Sequence, residues 1–256
     1  MFLIDCHTHL DQYPDEEISP ILQRASDVNV KVIVSAGSNL SSSKRSVTLS
    51  IAHTTVYAGV GIHPTELQGP ISKITYRDLQ NLVSTSERVV CISEIGLDFL
   101  PTSPDRTMQY QALRAQIGLA RENCLPIISH SRESNSEILR ILREEHADEV
   151  GGVMHYFQGS KSIANEAINL GFYISFARTL LRFPELQELA RDIPLNSIVL
   201  ETDAAPQPFK KYRYNWTEPR HVKDIAEKLA ALKGITVEEV AQTTTTNIKR
   251  LLKLTH

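Results

Sequence analysis

Short apolar segments recur along the chain and alternate with segments of helical periodicity. Eight of these segments have about the length of a strand and are rich in Val, Ile, Phe or Tyr: FLID, VKVIVSAG, VYAGVGIH, RVVCISEIG, LPIISH, GGVMHYF, FYISFA and SIVLETD. Such segments are typical of buried parallel strands. Eight strands alternating with helices over 256 residues predict a (β/α)8 (TIM) barrel.

The intervening segments support this interpretation. ISPILQRASDV, MQYQALRAQIGLARE and SNSEILRILREEHA each carry an apolar stripe at helical spacing, and Ser134 or Ser136 is a candidate cap for the third. A doubly wound open sheet is the rival fold, but no Gly-x-Gly-x-x-Gly loop follows the first strand. Helices within 218–254 are expected to pack around the closing barrel. No linker divides the chain, so residues 1–256 are predicted to form a single domain.

Composition restricts the partners and the compartment. A net charge of −3 gives no global reason to bind nucleic acid, so an anionic substrate would need a local positive site. Three cysteines, Cys6, Cys91 and Cys124, lack zinc-type spacing and favour a reducing, cytoplasmic setting. Neither a leader nor a membrane-length apolar segment is evident, so we expect a soluble protein that does not bind membranes, and no obligate protein partner is indicated.

Histidines are concentrated at the ends of the predicted strands. In the opening DCHTHLD, Asp5, His7 and His9 share one face of a strand because successive side chains alternate. Five of the nine histidines lie at strand ends, while His53, His146, His221 and His256 lie elsewhere and are expected at the surface. Because barrel active sites form at the carboxyl ends of strands, the strand-end residues are predicted to meet at one mouth. They are His7, His9, His63, Glu94, His130, His155 and Asp203.

The donor types predict a metal site. Imidazoles and carboxylates without thiolate suit Zn²⁺, Mn²⁺, Ni²⁺ or Fe²⁺, and Mg²⁺ where carboxylates and water dominate. Leaving out His63, the set offers six ligands, which exceed the number that one catalytic zinc takes. Two ions about 3.5–4 Å apart would use all six. Glu94, on a middle strand, is the natural bridge between two ions.

Six motifs in order, DCHTHLD, GIHP, SEIGLDF, ISHSR, MHYFQG and LETDA, resemble the TatD-related metal-dependent deoxyribonucleases of the amidohydrolase superfamily. The resemblance covers almost the whole chain, including the closing helices. It implies that one ion is held by His7, His9, Glu94 and Asp203, and the second by Glu94, His130 and His155. It also implies that Asp203 orients or deprotonates the attacking water and that His63 contacts the scissile phosphate.

The chain departs from the family pattern in its substrate loops. DAAPQP carries an extra alanine before Pro206, Trp216 stands where the family has arginine, and a glycine or lysine is usual near Arg178. The segment QPFKKYRYNW interleaves bases with aromatic rings, a pattern that suits phosphates and unpaired bases, although it also fits a solvated loop with rings packed on the barrel. The candidate substrate-binding residues are His63, Arg132, Arg178, Lys210, Lys211 and Arg213, with Arg182 as a further basic residue near the mouth.

These features predict a phosphodiesterase that cleaves DNA ends or short oligonucleotides through a water activated by two ions. The alternative is an ester or amide hydrolase on the same site, such as an aminoacyl-tRNA deacylase or a cyclic amidohydrolase. A barrel that binds metal without turnover is disfavoured by the intact ligand set. Asp5 and Glu201 are interpreted either as supports for ligand imidazoles or as a buried polar layer. Asp98 is interpreted as a further support or a loop cap.

Overall fold

Eight parallel strands, paired in chain order, form the sheet of this protein, as seen in a computed structural model that describes residues 2–254. The sheet closes on itself between the first and last strands, where Thr8 bridges Ala204 and the Asp203 N–H donates to the His7 carbonyl at 3.0 Å. The predicted (β/α)8 barrel is therefore confirmed. The strands are β1 (Leu3–Thr8), β2 (Val30–Ala36), β3 (Val56–Val60), β4 (Val89–Asp98), β5 (Ile127–Arg132), β6 (Gly152–Met154), β7 (Phe172–Phe176) and β8 (Ile198–Leu200).

A helix follows each strand and covers the outside of the barrel. The three helices predicted from apolar stripes are all present, and Asn39 caps the helix that begins at Leu40. Ser134 precedes a helix but does not cap it, because its hydroxyl donates to the Leu97 carbonyl instead. The helices are α1 (Asp15–Asp27), α2 (Leu40–Ala52), α3 (Lys73–Thr85), α4 (Arg106–Glu122), α5 (Asn135–Glu144), α6 (Lys161–Asn169), α7 (Pro184–Asp192), α8 (Val222–Lys233) and α9 (Val237–Leu251).

The core lies both inside the barrel and between its strands and helices. All ten residues of β4 are buried, and Ile138, Ile141 and Leu142 of α5 are fully buried against the sheet. Each such side chain stabilises the fold by about 1.5–3 kcal/mol relative to an exposed one. Gly96 of β4 has φ +155°, and any side chain there would collide with the His130 backbone. This glycine therefore allows β4 and β5 to approach closely beside the predicted metal ligands.

The last helix ties the two ends of the sheet together. On α9, the Thr245 hydroxyl donates to the Phe2 carbonyl at 3.1 Å, and the Asn247 amide donates to the carbonyls of Leu195 and Ile198 at 3.0 and 2.8 Å. The expectation that closing helices pack around the barrel is confirmed by these bonds. His256 lies outside the described residues. Across 2–254, every helix is too short or too polar to cross a membrane.

Candidate metal centre

The seven strand-end residues converge at the carboxyl end of the barrel. Six of them line a cavity of about 560 Å³, and His7 lies fully buried beside them. His7, Glu94 and His130 lie within strands, whereas the others directly follow strands or begin the next loop. The cavity-lining members of the set are His9, His63, Glu94, His130, His155 and Asp203.

One oxygen of Glu94 faces the two histidines of the first strand. Glu94 Oε2 lies 3.5 Å from His7 Nε2 and 3.5 Å from His9 Nε2. Asp203 Oδ1 faces the same two nitrogens, at 3.8 and 3.3 Å respectively. These four side chains are the set that the family resemblance assigns to one ion.

The other oxygen of Glu94 faces three different imidazoles. Glu94 Oε1 lies 2.9 Å from His130 Nδ1, 3.4 Å from His63 Nε2 and 3.5 Å from His155 Nε2. His63, Glu94 and His130 are close enough to share an ion, and so are His7, His155 and Glu201. His7, His9 and Glu94 form a third such group, which belongs to the predicted first set, whereas no group among the described residues is the predicted second set of Glu94, His130 and His155.

The atoms behind each imidazole distinguish possible ligands from other roles. A metal-binding histidine usually donates its second N–H to an oxygen, which leaves the first nitrogen free as a ligand. Three of the imidazoles have an oxygen at the nitrogen that points away from Glu94. The pairs are His9 Nδ1 with the Ala36 carbonyl at 3.2 Å, His130 Nε2 with Asp98 Oδ2 at 3.0 Å, and His155 Nδ1 with Glu201 Oε1 at 2.9 Å, the last too poorly aligned for a hydrogen bond.

His63 shows the opposite arrangement. Its Nδ1 accepts the Thr65 N–H at 3.2 Å and lies 2.6 Å from the Thr65 hydroxyl. Because Nδ1 acts as an acceptor, the proton of a neutral His63 resides on Nε2, the nitrogen that faces the cavity. His63 is thereby suited to donate a hydrogen bond rather than to bind a cation.

His7 supplies the observation that a cation would explain. Its side chain is fully buried, and neither ring nitrogen has a hydrogen-bond partner within the described residues. Unpaired buried polar atoms are rare, because each costs desolvation free energy without compensation. An all-imidazole and carboxylate donor set around such a nitrogen fits a divalent ion.

The histidines and carboxylates of the cluster shift each other's pKa values. Burial disfavours charge on His9, but Asp203 and Glu94 outweigh it and raise the pKa of His9 to about 9. Burial likewise opposes charge on His155, yet Glu201 and Glu94 raise its pKa to about 10. The pKa of His7 is lowered, because burial and the neighbouring His155 outweigh the attraction of Glu94.

The two central carboxylates are held ionised. Burial would raise the pKa of Glu94, but His63, His155 and His130 reverse this and hold it well below its ordinary value. Burial also opposes the charge on Asp203, and the surrounding imidazoles again lower its pKa. The ionised carboxylates of Glu94 and Asp203 thus lie among imidazoles of which His9 and His155 have raised pKa values.

Glu201 and Asp5, the two carboxylates interpreted as supports or as a buried polar layer, have different partners. Glu201 touches His155 and also accepts the Tyr156 N–H at 2.6 Å, consistent with the predicted support. Asp5 instead accepts the Thr202 N–H at 2.9 Å and links β1 to the end of β8, so it belongs to the buried polar layer.

Asp98 is both a loop cap and a support for a ligand candidate. It accepts the Leu100 N–H at 3.1 Å and the Ser103 hydroxyl at 2.5 Å while it contacts His130. The signal for this role was its spacing, because Asp98 is four residues after Glu94 in one strand and so shares its face.

The candidate substrate-binding cations differ in how closely they are paired with carboxylates. Arg132 lines the cavity, 3.7 Å from Asp98, and Arg178 makes no ion pair within the described residues. Burial lowers the pKa of Lys210, and the charges of Arg178 and Arg182 lower it further. Lys211 stands 5.0 Å from the centre of the Tyr212 ring.

Arg213 faces away from this group. Its Nε donates to Glu17 at 2.7 Å, its Nη1 donates to Glu218 at 2.9 Å, and its guanidinium stacks 4.5 Å from the Trp216 ring. Trp216 packs against the core rather than into the cavity, whereas Tyr212 and Tyr214 are exposed and stacked on each other. Arg213 is therefore paired with carboxylates, whereas Lys210 donates to the Asn215 carbonyl at 2.9 Å and makes no ion pair among the described residues.

Comparison with known proteins shows the family to which this barrel belongs. The sequence pattern described as TatD related DNase matches residues 4–253. The chain belongs to the TatD-related DNase family. The predicted family, and with it a metal-dependent hydrolase, is thus confirmed.

Individual TatD relatives are similar over their full length. The Bacillus subtilis protein named uncharacterized metal-dependent hydrolase YabD is 36% identical, covering 98% of this chain and 99% of its own. The human protein named deoxyribonuclease TATDN3 is 34% identical, covering 99% and 96%. The crystal structure of the TatD homologue YJJV from Escherichia coli superposes with a TM-score of 0.89 at 28% identity, covering 98% of both chains.

Proposed function

We propose that this protein is a deoxyribonuclease that cleaves DNA ends or short oligonucleotides, using two divalent ions drawn from Mg²⁺, Mn²⁺, Zn²⁺ and Ni²⁺. The observation that carries the proposal is the carboxylate of Glu94, whose two oxygens face two separate groups of imidazoles. His7, His9 and Asp203 would hold one ion with Glu94, and His130 and His155 would hold the other. The deoxyribonuclease name of the human relative supports the substrate class.

The ions would supply Lewis acidity, which acidifies water and neutralises charge on a phosphate. The remaining steps fall to the chain's own residues. The Asp203 side chain is 32% exposed towards the cavity and is held ionised, so it can accept the proton of an attacking water. His63 presents the proton on its Nε2 to a non-bridging phosphate oxygen, because Thr65 occupies its other nitrogen.

A polyanionic substrate is supported by the cations beside the site. Arg178 is half-buried and makes no salt bridge among the described residues; burial lowers its pKa, the charge of Asp224 opposes this, and Arg182 and Arg220 lower the pKa further. Clustered cations are stabilised when phosphates bind between them. We assign Arg132, Arg178 and Lys210 to the backbone of the substrate and the exposed Tyr212 and Tyr214 to its unpaired bases.

The bond that is cleaved is tested by comparing substrates side by side. The protein is incubated with 3′-labelled single-stranded DNA under Mg²⁺, Mn²⁺ or Zn²⁺, beside a panel of model carboxylic esters and cyclic amides. We expect shortened DNA products and little ester or amide hydrolysis. Hydrolysis of the esters or amides with intact DNA would support the alternative acyl hydrolase instead.

A variant provides the control for contaminating nucleases. Asp203→Asn, purified in parallel, retains the barrel but lacks the proton acceptor, so its DNA cleavage should fall to background. Equal cleavage by both preparations would show that the activity is not that of this protein.

A further inference from the structure

Two glutamines on α4 bind the backbone of the site from behind. Gln109 and Gln116 are seven residues apart, so they lie on one face of the helix, two turns from each other. Both side chains are buried, with 0% and 1% exposure. Buried amides are kept only where their donors and acceptors are paired, which makes the partners of these two informative.

Gln116 hydrogen-bonds to both the backbone N–H and the backbone carbonyl of one residue. Its Oε1 accepts the Ile62 N–H at 2.7 Å, and its Nε2 donates to the Ile62 carbonyl at 3.1 Å. Ile62 directly precedes His63 and lies beyond the end of β3. The pairing of β3 with β4 has ended before this residue, at the pair Val60 and Ile92. The amide side chain thus takes the place of a strand neighbour for the segment that carries His63.

Gln109 makes the same contact at the next strand. Its Oε1 accepts the Asp98 N–H at 2.8 Å, and its Nε2 donates to the Asp98 carbonyl at 2.8 Å and the Pro104 carbonyl at 2.7 Å. Asp98 is the carboxylate behind His130. The backbone that aims this carboxylate is therefore held by a side chain from α4.

We propose that Gln116 and Gln109 are positioning residues with separate targets: Gln116 places His63 on the substrate phosphate, and Gln109 places Asp98 so that it orients His130 as a ligand. The assignments of His63 and His130 rest on the proposed function. The two glutamines have the same side chain, burial and helix face, yet their loss should change different properties of the protein.

The test compares Gln109→Met with Gln116→Met, in which a side chain of similar size removes the amide. Metal affinity is measured by competition with a chromophoric chelator, using Mn²⁺ or Zn²⁺ alone. For Gln109→Met we expect one of the two binding steps to weaken by about 10–100-fold, the effect typical of losing a group that orients a ligand. Its activity should return at excess metal ion.

For Gln116→Met we expect unchanged metal binding. At saturating metal ion, kcat/KM for an oligonucleotide should fall by about 10–100-fold, the scale of a small displacement of a catalytic group, and further metal ion should not restore it. Thermal unfolding should shift to a similar degree in both variants. Equal losses of metal affinity and of kcat/KM in the two variants, or no loss in either, would reduce both glutamines to structural roles.

Additional variants test the link between Gln109 and Asp98 and provide for a variant that does not fold. Asp98→Asn should reproduce the metal-binding defect of Gln109→Met, and the double variant should show little further loss, because both act on one contact. Additive losses would overturn the link between Gln109 and Asp98. If a methionine variant does not fold, Gln109→Glu or Gln116→Glu retains the oxygen that accepts the backbone N–H.

The metal measurements also separate this inference from the proposed function. They need no substrate, so the Gln109 arm remains informative if wild-type protein fails to cleave DNA. In that case the kinetic arm is run on whichever substrate of the panel the protein hydrolyses.

Discussion

Glu94 lies between the two groups of imidazoles. Because each of its oxygens faces a different group, Glu94→Ala should reduce bound metal more than any other single ligand substitution, from two ions per chain towards none. Elemental analysis of the purified variants measures this. His63→Ala is the matched control and should keep its metal, since His63 presents an N–H to the cavity. Undiminished metal in Glu94→Ala would make Glu94 a structural residue.

The proposed function gives Asp203 two roles, metal ligand and proton acceptor. In Asp203→Asn the side chain keeps an oxygen that can coordinate but cannot accept a proton, so at least one ion should remain while kcat falls by about 10²–10⁴-fold. Rates are compared at matched metal occupancy. Turnover close to that of the wild type would assign the proton acceptor to another group.

The raised pKa values of His9 and His155, about 9 and 10, link metal binding to pH. Both are protonated at neutral pH in the metal-free protein, whereas a metal needs the neutral imidazole, so binding should release about two protons. Affinity should rise with pH until 9 to 10. Calorimetry in buffers of different ionisation enthalpy counts the protons. An affinity independent of pH from neutrality to that range would contradict the prediction.

The same raised pKa values make the stability of the metal-free protein fall as the pH rises, whereas metal affinity increases with pH. A pKa raised in the folded state stabilises it fully below the ordinary histidine value of about 6.5. This contribution is lost as the pH rises through 9 to 10. Metal-free protein should therefore lose stability in alkaline solution.

Individual elements were well predicted where burial alone determines them. β2 and β7 coincide with contiguous apolar runs, as expected for strands covered on both faces. The run GGVMHYF, by contrast, is a strand only over Gly152–Met154, since the chain turns at Tyr156, where φ is +47°. Periodicity detects buried strands but not the backbone turns that redirect side chains at their ends.

Contacts between distant elements explain what the sequence analysis missed. Arg213 stands in a basic run, but its partner Glu17 is 196 residues away, and no local spacing signals that pair. Spacing places Asp98 on the same strand face as Glu94, but it does not show which imidazole Asp98 contacts, which is why Asp98 remained ambiguous while the ligand candidates did not. The strand-end set was predictable because barrel topology brings such ends together.

The segment from Gln207 to Trp216 gives a prediction at the scale of one element. If Lys210 and Lys211 hold phosphates, the double variant Lys210→Gln/Lys211→Gln should raise KM for oligonucleotides. It should also lower the salt slope of binding by about 1.4, from roughly 0.7 per contact with single strands.

Arg213→Gln is the matched control for the lysine variant. It should leave the salt slope unchanged and lower the stability instead, because it breaks the pairs with Glu17 and Glu218. An unchanged KM and slope in the lysine variant would make the segment a solvated surface.

At the scale of the whole molecule, the candidate metal ligands come from strands at both ends of the sheet. β1, β4, β5, β6 and β8 all contribute, so bound ions should stabilise the closed barrel as a unit. An ion at about 100 times its Kd adds about 2.7 kcal/mol per site to the free energy of unfolding. Thermal unfolding with excess Mn²⁺ and with chelator measures the shift. Glu94→Ala should show little shift, and equal melting of wild type in both conditions would contradict the prediction.

The prediction that residues 1–256 form one domain leads to a further expectation for the same experiment. Far-ultraviolet dichroism and the fluorescence of Trp216, which packs against the core, should report one coincident transition. Two separate transitions would indicate independently folding parts.

The junction of β1 with the end of β8 also has a consequence for biosynthesis. Asp5 and Thr202, which hydrogen-bond across it, are 197 residues apart in the chain. At roughly 5–20 residues per second on the ribosome, about 10–40 s pass between the synthesis of these two positions. Throughout that interval the nascent chain exposes the unpaired edge of β1, with His7 and His9, to the chaperones of the cell. An ion held in part by Asp203, as proposed, could be captured only after that interval.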